Sequence, residues 1–174
     1  MLFRSGAERG ENGMHKFLPG INILFGLEGE SKKTHEENMK WLTRIRDDGL
    51  LLRRINIRQV AVIEGTDLAT NAGTKFLHKN KRWYWKWRND IRQNIDQQML
   101  NAIFPKGTII KNVRMEIHDG NTTFGRQIGT YPLAIGIKQK LEIGSWYTVK
   151  VKKGMLRSIE AEIVTKQQGD ETHE

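Results

Sequence analysis

From Lys75 to Phe104 the chain reads KFLHKNKRWYWKWRNDIRQNIDQQMLNAIF, a stretch without a single glycine or proline. Nothing in it breaks the backbone hydrogen-bond pattern, so it is expected to form one long helix, stopped by Pro105-Lys106-Gly107. That helix divides the sequence. Ahead of it, apolar runs alternate with an amphipathic stretch; behind it, from Thr108, short β-type runs are separated by glycines.

The front half predicts a strand, a helix and a strand. INILF, from Ile21, has no polar alternation beyond Asn22, which suits a strand buried on both faces. It ends in GLEGES, where Ser31 can cap a helix, Glu36 and Glu37 lie near its positive end, and Met39, Leu42 and Ile45 recur at helical spacing before Gly49. RRINIRQVAVIEGT follows as the second strand. There Ile55, Ile57, Ala61 and Ile63 share one parity and Asn56, Arg58, Val60 and Val62 the other, so one face is apolar and the other partly polar. Strand, helix and strand with short links form a parallel, right-handed βαβ unit. Two strands and one helix cannot cover both faces of a parallel sheet, so this part is expected to need a further element or another copy against it.

The back half carries TIIKNVRMEIHDG, TTFGRQIG, YPLAIGI, KLEIG, WYTVKVKKG and SIEAEIVT, five or six short strands at the spacing of a small closed barrel. The expected organisation is a disordered leader over 1–14, the βαβ part over 15–74, a helical connector over 75–103, a β-barrel over 104–166 and a tail over 167–174.

With 37% apolar residues in 174, two small cores fit better than one large one. There is no cysteine, which excludes disulfides, thiolate zinc sites and an iron-sulfur cluster held by this chain's own residues. The five histidines form no HxxxH or HExxH pair. No apolar run reaches the length of a membrane span and the first residues lack a signal-peptide core, so a cytoplasmic protein is the default expectation. The net charge of +9 is unevenly placed: Met1 to Thr74 holds 11 basic and 10 acidic residues, Lys75 to Asn101 holds 7 and 2, and Phe104 to Lys166 holds 11 and 5. A polyanion would therefore meet the back of the chain.

Three stretches in fixed order carry a resemblance: INILFGLEGES with the amphipathic run after it, RRINIRQVAVIEGT, and FGRQIGTYPLAIGIKQKLEIGSWYTVKV. They resemble the end of a radical-SAM barrel followed by a TRAM-type β-barrel, as in tRNA-modifying methylthiotransferases, where a strand ends in GFPGET and a later one in a PGT-like turn. They are more similar still to an uncharacterised archaeal-type group of radical-SAM proteins with a TRAM-like tail. The implied fold is α/β plus all-β: a partial parallel (β/α) barrel, a long helical connector and a small TRAM/OB-like barrel. The implied activity is reductive cleavage of S-adenosylmethionine by a 4Fe-4S cluster on a CxxxCxxC motif. That motif is missing here, so the resemblance implies a fragment, catalytically incomplete by itself, that works with a cluster-bearing N-terminal half. The tail would present substrate, with tRNA suggested by association. Glu28 and Glu64 stand where the related patterns have proline.

The resemblance places Gly26, Gly29 and Glu30 near the ribose, methionine or substrate end of S-adenosylmethionine; a plain glycine-rich turn is the competing reading. Asn56 and Arg58, polar on one parity of a barrel strand, are the better candidates for a lumen-facing site, because buried polar groups are costly unless paired or used. Arg58 suits a carboxylate or phosphate clamp. Alternatively these residues pair with Glu28, Glu30 or Glu64. In RWYWKW, Lys81, Arg82, Lys86 and Arg88 accompany Trp83, Trp85 and Trp87, a mixture suited to stacking on bases and neutralising phosphates. Residues 83 and 87 share a helical face that 85 does not, so one set of rings is expected to pack inside. In the barrel, Arg126, Lys138, Lys150, Lys152 and Lys153, with Phe124, Tyr131, Trp146 and Tyr147 interleaved, suggest an RNA-binding face, the alternative being a solvated basic surface. A non-catalytic RNA-binding module is the second functional reading.

Overall fold

A computed structural model describes residues 8–128 and 132–167. Within them the chain forms two compact units, 19–96 and 8–18 with 97–167. The expected tail after Gln167 and Tyr131 lie outside the described residues.

The first unit is the βαβ element. Strand β1 (Gly20–Phe25) pairs in parallel with β2 (Arg54–Gln59), Ile21 opposite Ile55 and Leu24 opposite Arg58, and α1 (Lys32–Asp47) connects them. The Thr34 hydroxyl accepts the Ser31 N–H at 3.1 Å at the start of α1, and Gly49, at φ +71°, turns the chain out of its end. Glu64-Gly65 forms the expected turn, and Thr66 caps the short α2 (Asp67–Asn71) by accepting the Ala69 N–H. Then α3 (Lys75–Ile91) begins the long helix, which runs through a π-turn (Arg92–Asp96) into α4 (Gln97–Ile103).

Two strand expectations need correction. INILF is not buried on both faces: Ile21, Ile23 and Phe25 turn inward, but Asn22 is exposed and Leu24 is 45% exposed. An apolar run records only that cover is wanted, and a two-stranded sheet with helices on one face does not supply it. The second strand stops at Gln59, and beyond it Ala61 and Ile63 face solvent. Alternation past the last ladder pair has no sheet to define its faces.

The core of this unit is aromatic. Phe25 stacks on Trp87 at 5.7 Å and meets Tyr84 edge-on, while His35 of α1 also stacks on Trp87, at 5.1 Å. Trp87 is buried and Trp85 exposed, as the helical spacing requires. His35 is itself buried, with Nε2 3.4 Å from Asp90. Burial pushes its pKa down, outweighing the opposing pull of Asp90, with Lys86 adding to the depression and Glu36 opposing it. The imidazole is thus neutral in the fold, and below the ordinary value of 6.5 the unfolded chain takes up a proton that the folded one refuses. This unit is therefore expected to lose stability as pH falls from 6.5 towards the depressed folded value. Urea unfolding at neutral and mildly acidic pH checks it, and His35→Phe, which keeps the stack, should flatten the dependence.

The second unit is a closed barrel of β3 (Ile109–Asp119), β4 (Thr122–Gln127), β5 (Ala134–Ile137), β6 (Trp146–Gly154) and β7 (Ser158–Gln167), ordered β3-β4-β5-β7-β6. Every pair is antiparallel except β5 with β7. That order with one parallel pair is an OB-like Greek-key arrangement. KLEIG is a turn rather than a sixth strand, held by the Leu141 N–H on Thr123 Oγ1 and the Gly144 N–H on the Met115 carbonyl. Ile110, Val113, Met115, Ile135, Val149 and Ile159 fill the interior. Helix α4 packs against β6, with Asn101 Oδ1 accepting the Gly154 N–H at 3.0 Å.

Residues 8–18, expected in part to be a leader, lie against this barrel. Arg9 donates to the Ile103 carbonyl, the Asn12 carbonyl accepts from Lys111 N and from Gln127 Nε2, and Arg9 bridges to His15. The segment supplies carbonyls and a guanidinium to barrel and helix-end groups that need partners.

Candidate functional site

The glycine-rich turn after β1 is closed by its own glutamate. Glu30 is buried, and its carboxylate accepts the Gly26 N–H at 2.7 Å and the Asn80 amide at 2.9 Å. The Gly26 amide, expected to help cradle an anionic ligand group, is already occupied. Gly26 sits at φ +94° and is packed tightly, since a Cβ there would come 2.8 Å from Leu77 Cγ and 2.9 Å from Val60 Cγ2. Gly29, at φ +79°, faces open space. Of the three residues proposed for this turn, two have internal structural tasks.

Asn56 and Arg58 do share a face, the one the helices leave open. Asn56 Nδ2 donates to Asn22 Oδ1 at 3.0 Å across the strands. Arg58 stands opposite Leu24, exposed, and forms no ion pair with Glu28, Glu30 or Glu64. This face thus offers an amide pair and a guanidinium, donors suited to a carboxylate or phosphate. Among the described residues no group of three metal-ligating side chains comes together, and without cysteine the chain holds no cluster of its own. These residues fit binding a polar small molecule; they do not fit an iron-sulfur centre.

On α3, Lys81 and Arg82 are exposed, with Arg82 lying over Trp83 at 4.9 Å. Arg88 covers the exposed Trp85 at 5.1 Å. Lys86 pairs with Asp90 at 2.8 Å on the rim of a groove of about 520 Å³ between α1 and α3, floored by His35 and Trp87.

Three barrel lysines converge on one acid. Lys138 and Lys153 each lie 3.4 Å from Glu160 and Lys152 lies 3.9 Å away. Burial alone would raise the Glu160 carboxyl, but Lys138 and Lys153 hold it below the usual range. One carboxylate among three exposed ammonium groups leaves the patch cationic and spaces them. Lys150 is exposed on β6 and Arg126 pairs with Glu116 at 3.0 Å. Phe124 lies on the same outer surface, its ring over Gly136, where a Cβ would come 2.9 Å from it. Gly136 is opposite both Phe124 and Glu160 in the ladder, so ring and lysine cluster are adjacent. Tyr147 does not join them; it is buried in the core.

Sequence reasoning missed Glu160 as the centre of the lysine cluster, Asn80 as the partner of Glu30, and the buried pair of Arg92 and Asp96. The last carried a signal, an Arg-to-Asp spacing of four within a helix; the others depend on contacts far apart in sequence.

The architecture is that of a mixed protein, a parallel βαβ element and a closed five-stranded barrel linked in sequence by a long helix. No family model matches it. Uncharacterized protein MJ0274 of Methanocaldococcus jannaschii is 44% identical over 166 residues, covering 94% of this chain and 30% of that protein. An uncharacterized protein of Archaeoglobus fulgidus is 38% identical over 161 residues, covering 92% and 30%. The chain is homologous to these archaeal proteins and spans about 30% of the length of the curated relatives it matches. Among the described residues no helix is long and apolar enough to cross a membrane.

Proposed function

We propose that this chain is the substrate-presenting part of a larger radical-SAM enzyme, its barrel binding RNA and its βαβ element completing a barrel whose cluster-bearing portion lies elsewhere in the polypeptide. The observation that carries this reading is the pairing of a two-stranded parallel sheet, too small to be covered on both faces, with relatives of which the match spans only 30%. The open face with Asn22, Asn56 and Arg58 supports a role in holding the polar end of S-adenosylmethionine. The cluster cannot come from these residues. Anaerobic iron-sulfide reconstitution of the full-length Methanocaldococcus relative, followed by assay for S-adenosylmethionine cleavage under reducing conditions, tests the enzyme half of the proposal. A protein that takes up no cluster would end it.

The RNA half is supported by the Glu160-centred lysines beside Phe124, cation and ring together as single-strand recognition requires. If Lys138, Lys152 and Lys153 each meet a phosphate, affinity for single-stranded RNA should fall about twentyfold between about 50 and 200 mM salt, from a slope near 0.7 per contact. Reversing two charges, as Lys152→Glu with Lys153→Glu, should weaken binding and flatten that slope by nearly two-thirds. Filter-binding titrations over a salt series decide it, and an affinity indifferent to salt would remove RNA from the proposal. A stand-alone RNA-binding module is the second reading, favoured if the RNA test succeeds and the cluster test fails.

A further inference from the structure

The two sides of the parallel sheet end differently. In β2, Ile55 directs its backbone away from β1: its N–H goes to Asp96 Oδ1 at 3.2 Å and its carbonyl accepts from Arg92 Nη1 at 2.9 Å. Arg92 and Asp96 are also ion-paired with each other, each side chain 9% exposed. Two side chains of the π-turn therefore stand where the backbone of a next strand would be.

The outer side of β1 has no such plug. The Phe25 carbonyl accepts the Val60 N–H, so Phe25 faces β2. Backbone groups alternate direction along a strand, which turns Ile21, Ile23 and Phe25 towards β2 and Gly20, Asn22 and Leu24 outward. Among the described residues the sheet contains only β1 and β2, and the outward groups of these three residues have no strand beside them. The next outward amide, that of Gly26, is taken by Glu30, which bounds the open stretch. Leu24 and Leu27, 45% and 46% exposed, flank its end.

We infer that the outer edge of β1, from Gly20 to Leu24, is a docking site for one β-strand contributed by the polypeptide that makes up the rest of the longer relatives. An unprotected edge is a template for pairing, and natural sheets otherwise blunt or cover such edges. Here the β2 edge is blocked at Ile55 by a buried ion pair, leaving only Ile57 and Gln59 outward at its end, whereas β1 carries no such block from Gly20 to Leu24 and has apolar side chains beside it. The occupant follows from the matches: nearly all of this chain aligns, whereas the greater part of each relative lies outside the alignment. The added strand extends the sheet on the β1 side. The inference rests only on the part of the proposed function in which further polypeptide completes the sheet, so a relative without a cluster leaves it standing.

The test compares the isolated chain with a chimera in which it replaces the matching segment of the full-length Methanocaldococcus relative. Hydrogen exchange of the peptide spanning Gly20 to Gly26 should slow by about a hundredfold or more in the chimera, while the Ile55 amide, already bonded, changes little. Leu24→Pro deletes one outward N–H without touching the β1–β2 ladder, a place where an edge strand tolerates proline. It should leave the isolated chain folded like Leu24→Ala but lower the melting temperature of the chimera well below that of the Leu24→Ala chimera. Equal exchange of the Gly20 to Gly26 peptide in both proteins would overturn the inference. So would slow exchange in the isolated chain accompanied by dimerisation in sedimentation, which would make the occupant a second copy.

Discussion

Asp96→Ala is expected to destabilise the βαβ unit by about 3–5 kcal/mol, the range found when one partner of a buried ion pair is removed. The substitution strands the Arg92 guanidinium, whose side chain is only 9% exposed, without a countercharge. It also takes away the acceptor of the Ile55 N–H. Burial pushes the Asp96 carboxyl up while Arg92 and the Ile55 amide pull it down, so the site is one where desolvation and pairing oppose each other. Replacing both residues by apolar ones, Arg92→Met with Asp96→Leu, should recover part of the loss, because no lone charge is then left behind. Amide exchange at Leu42 and Ile91, which belong to this unit, reads the change in urea. A loss below about 1 kcal/mol would mean that water reaches the pair and that it resembles a surface salt bridge.

Gly26→Ala is expected to cost about 2–4 kcal/mol, against about 1–2 kcal/mol for Gly29→Ala. Both glycines have positive φ, so either alanine meets the left-handed penalty. Only at Gly26 does the new methyl group also drive into Leu77 and Val60, which would force α3 away from the end of β1. Thermal unfolding of the two variants separates the contributions. Equal losses would show that Leu77 swings aside freely and that the turn, rather than its packing, sets the requirement. The comparison also bears on ligand binding, since Gly29 is the glycine of GLEGES that faces open space and can be altered there with less damage to the fold.

The sequence carried the order of elements well because each announces itself locally. The absence of glycine and proline from Lys75 to Phe104 marks a helix whatever lies around it, and the glycine-punctuated β runs after Thr108 mark a barrel by their spacing. Cover is a different matter. INILF records an apolar strand but not whether two layers or one pack on it, and RRINIRQVAVIEGT alternates beyond the point where any strand remains beside it. The π-turn at Arg92–Asp96 interrupts a run that looks uniformly helical, because what opens it is the bonding of both end residues to Ile55, 37 and 41 residues earlier. Candidate residues followed the same division. The positions of Asn56 and Arg58 on one face follow from strand parity, whereas the use of Glu30 inside its own turn and the gathering of three lysines on Glu160 are long-range facts that spacing does not encode.

The plugged edge of β2 has one more consequence, best put in the language of polymer growth. A sheet with two reactive ends is a bifunctional monomer and can add to itself without limit, which is how exposed strands seed fibres. With Arg92 and Asp96 seated on Ile55, the β2 edge is closed at that residue, so a strand meets less resistance at β1 than at β2. The ion pair that costs desolvation energy to bury thus works as a partial stopper, biasing growth of the sheet towards the β1 side.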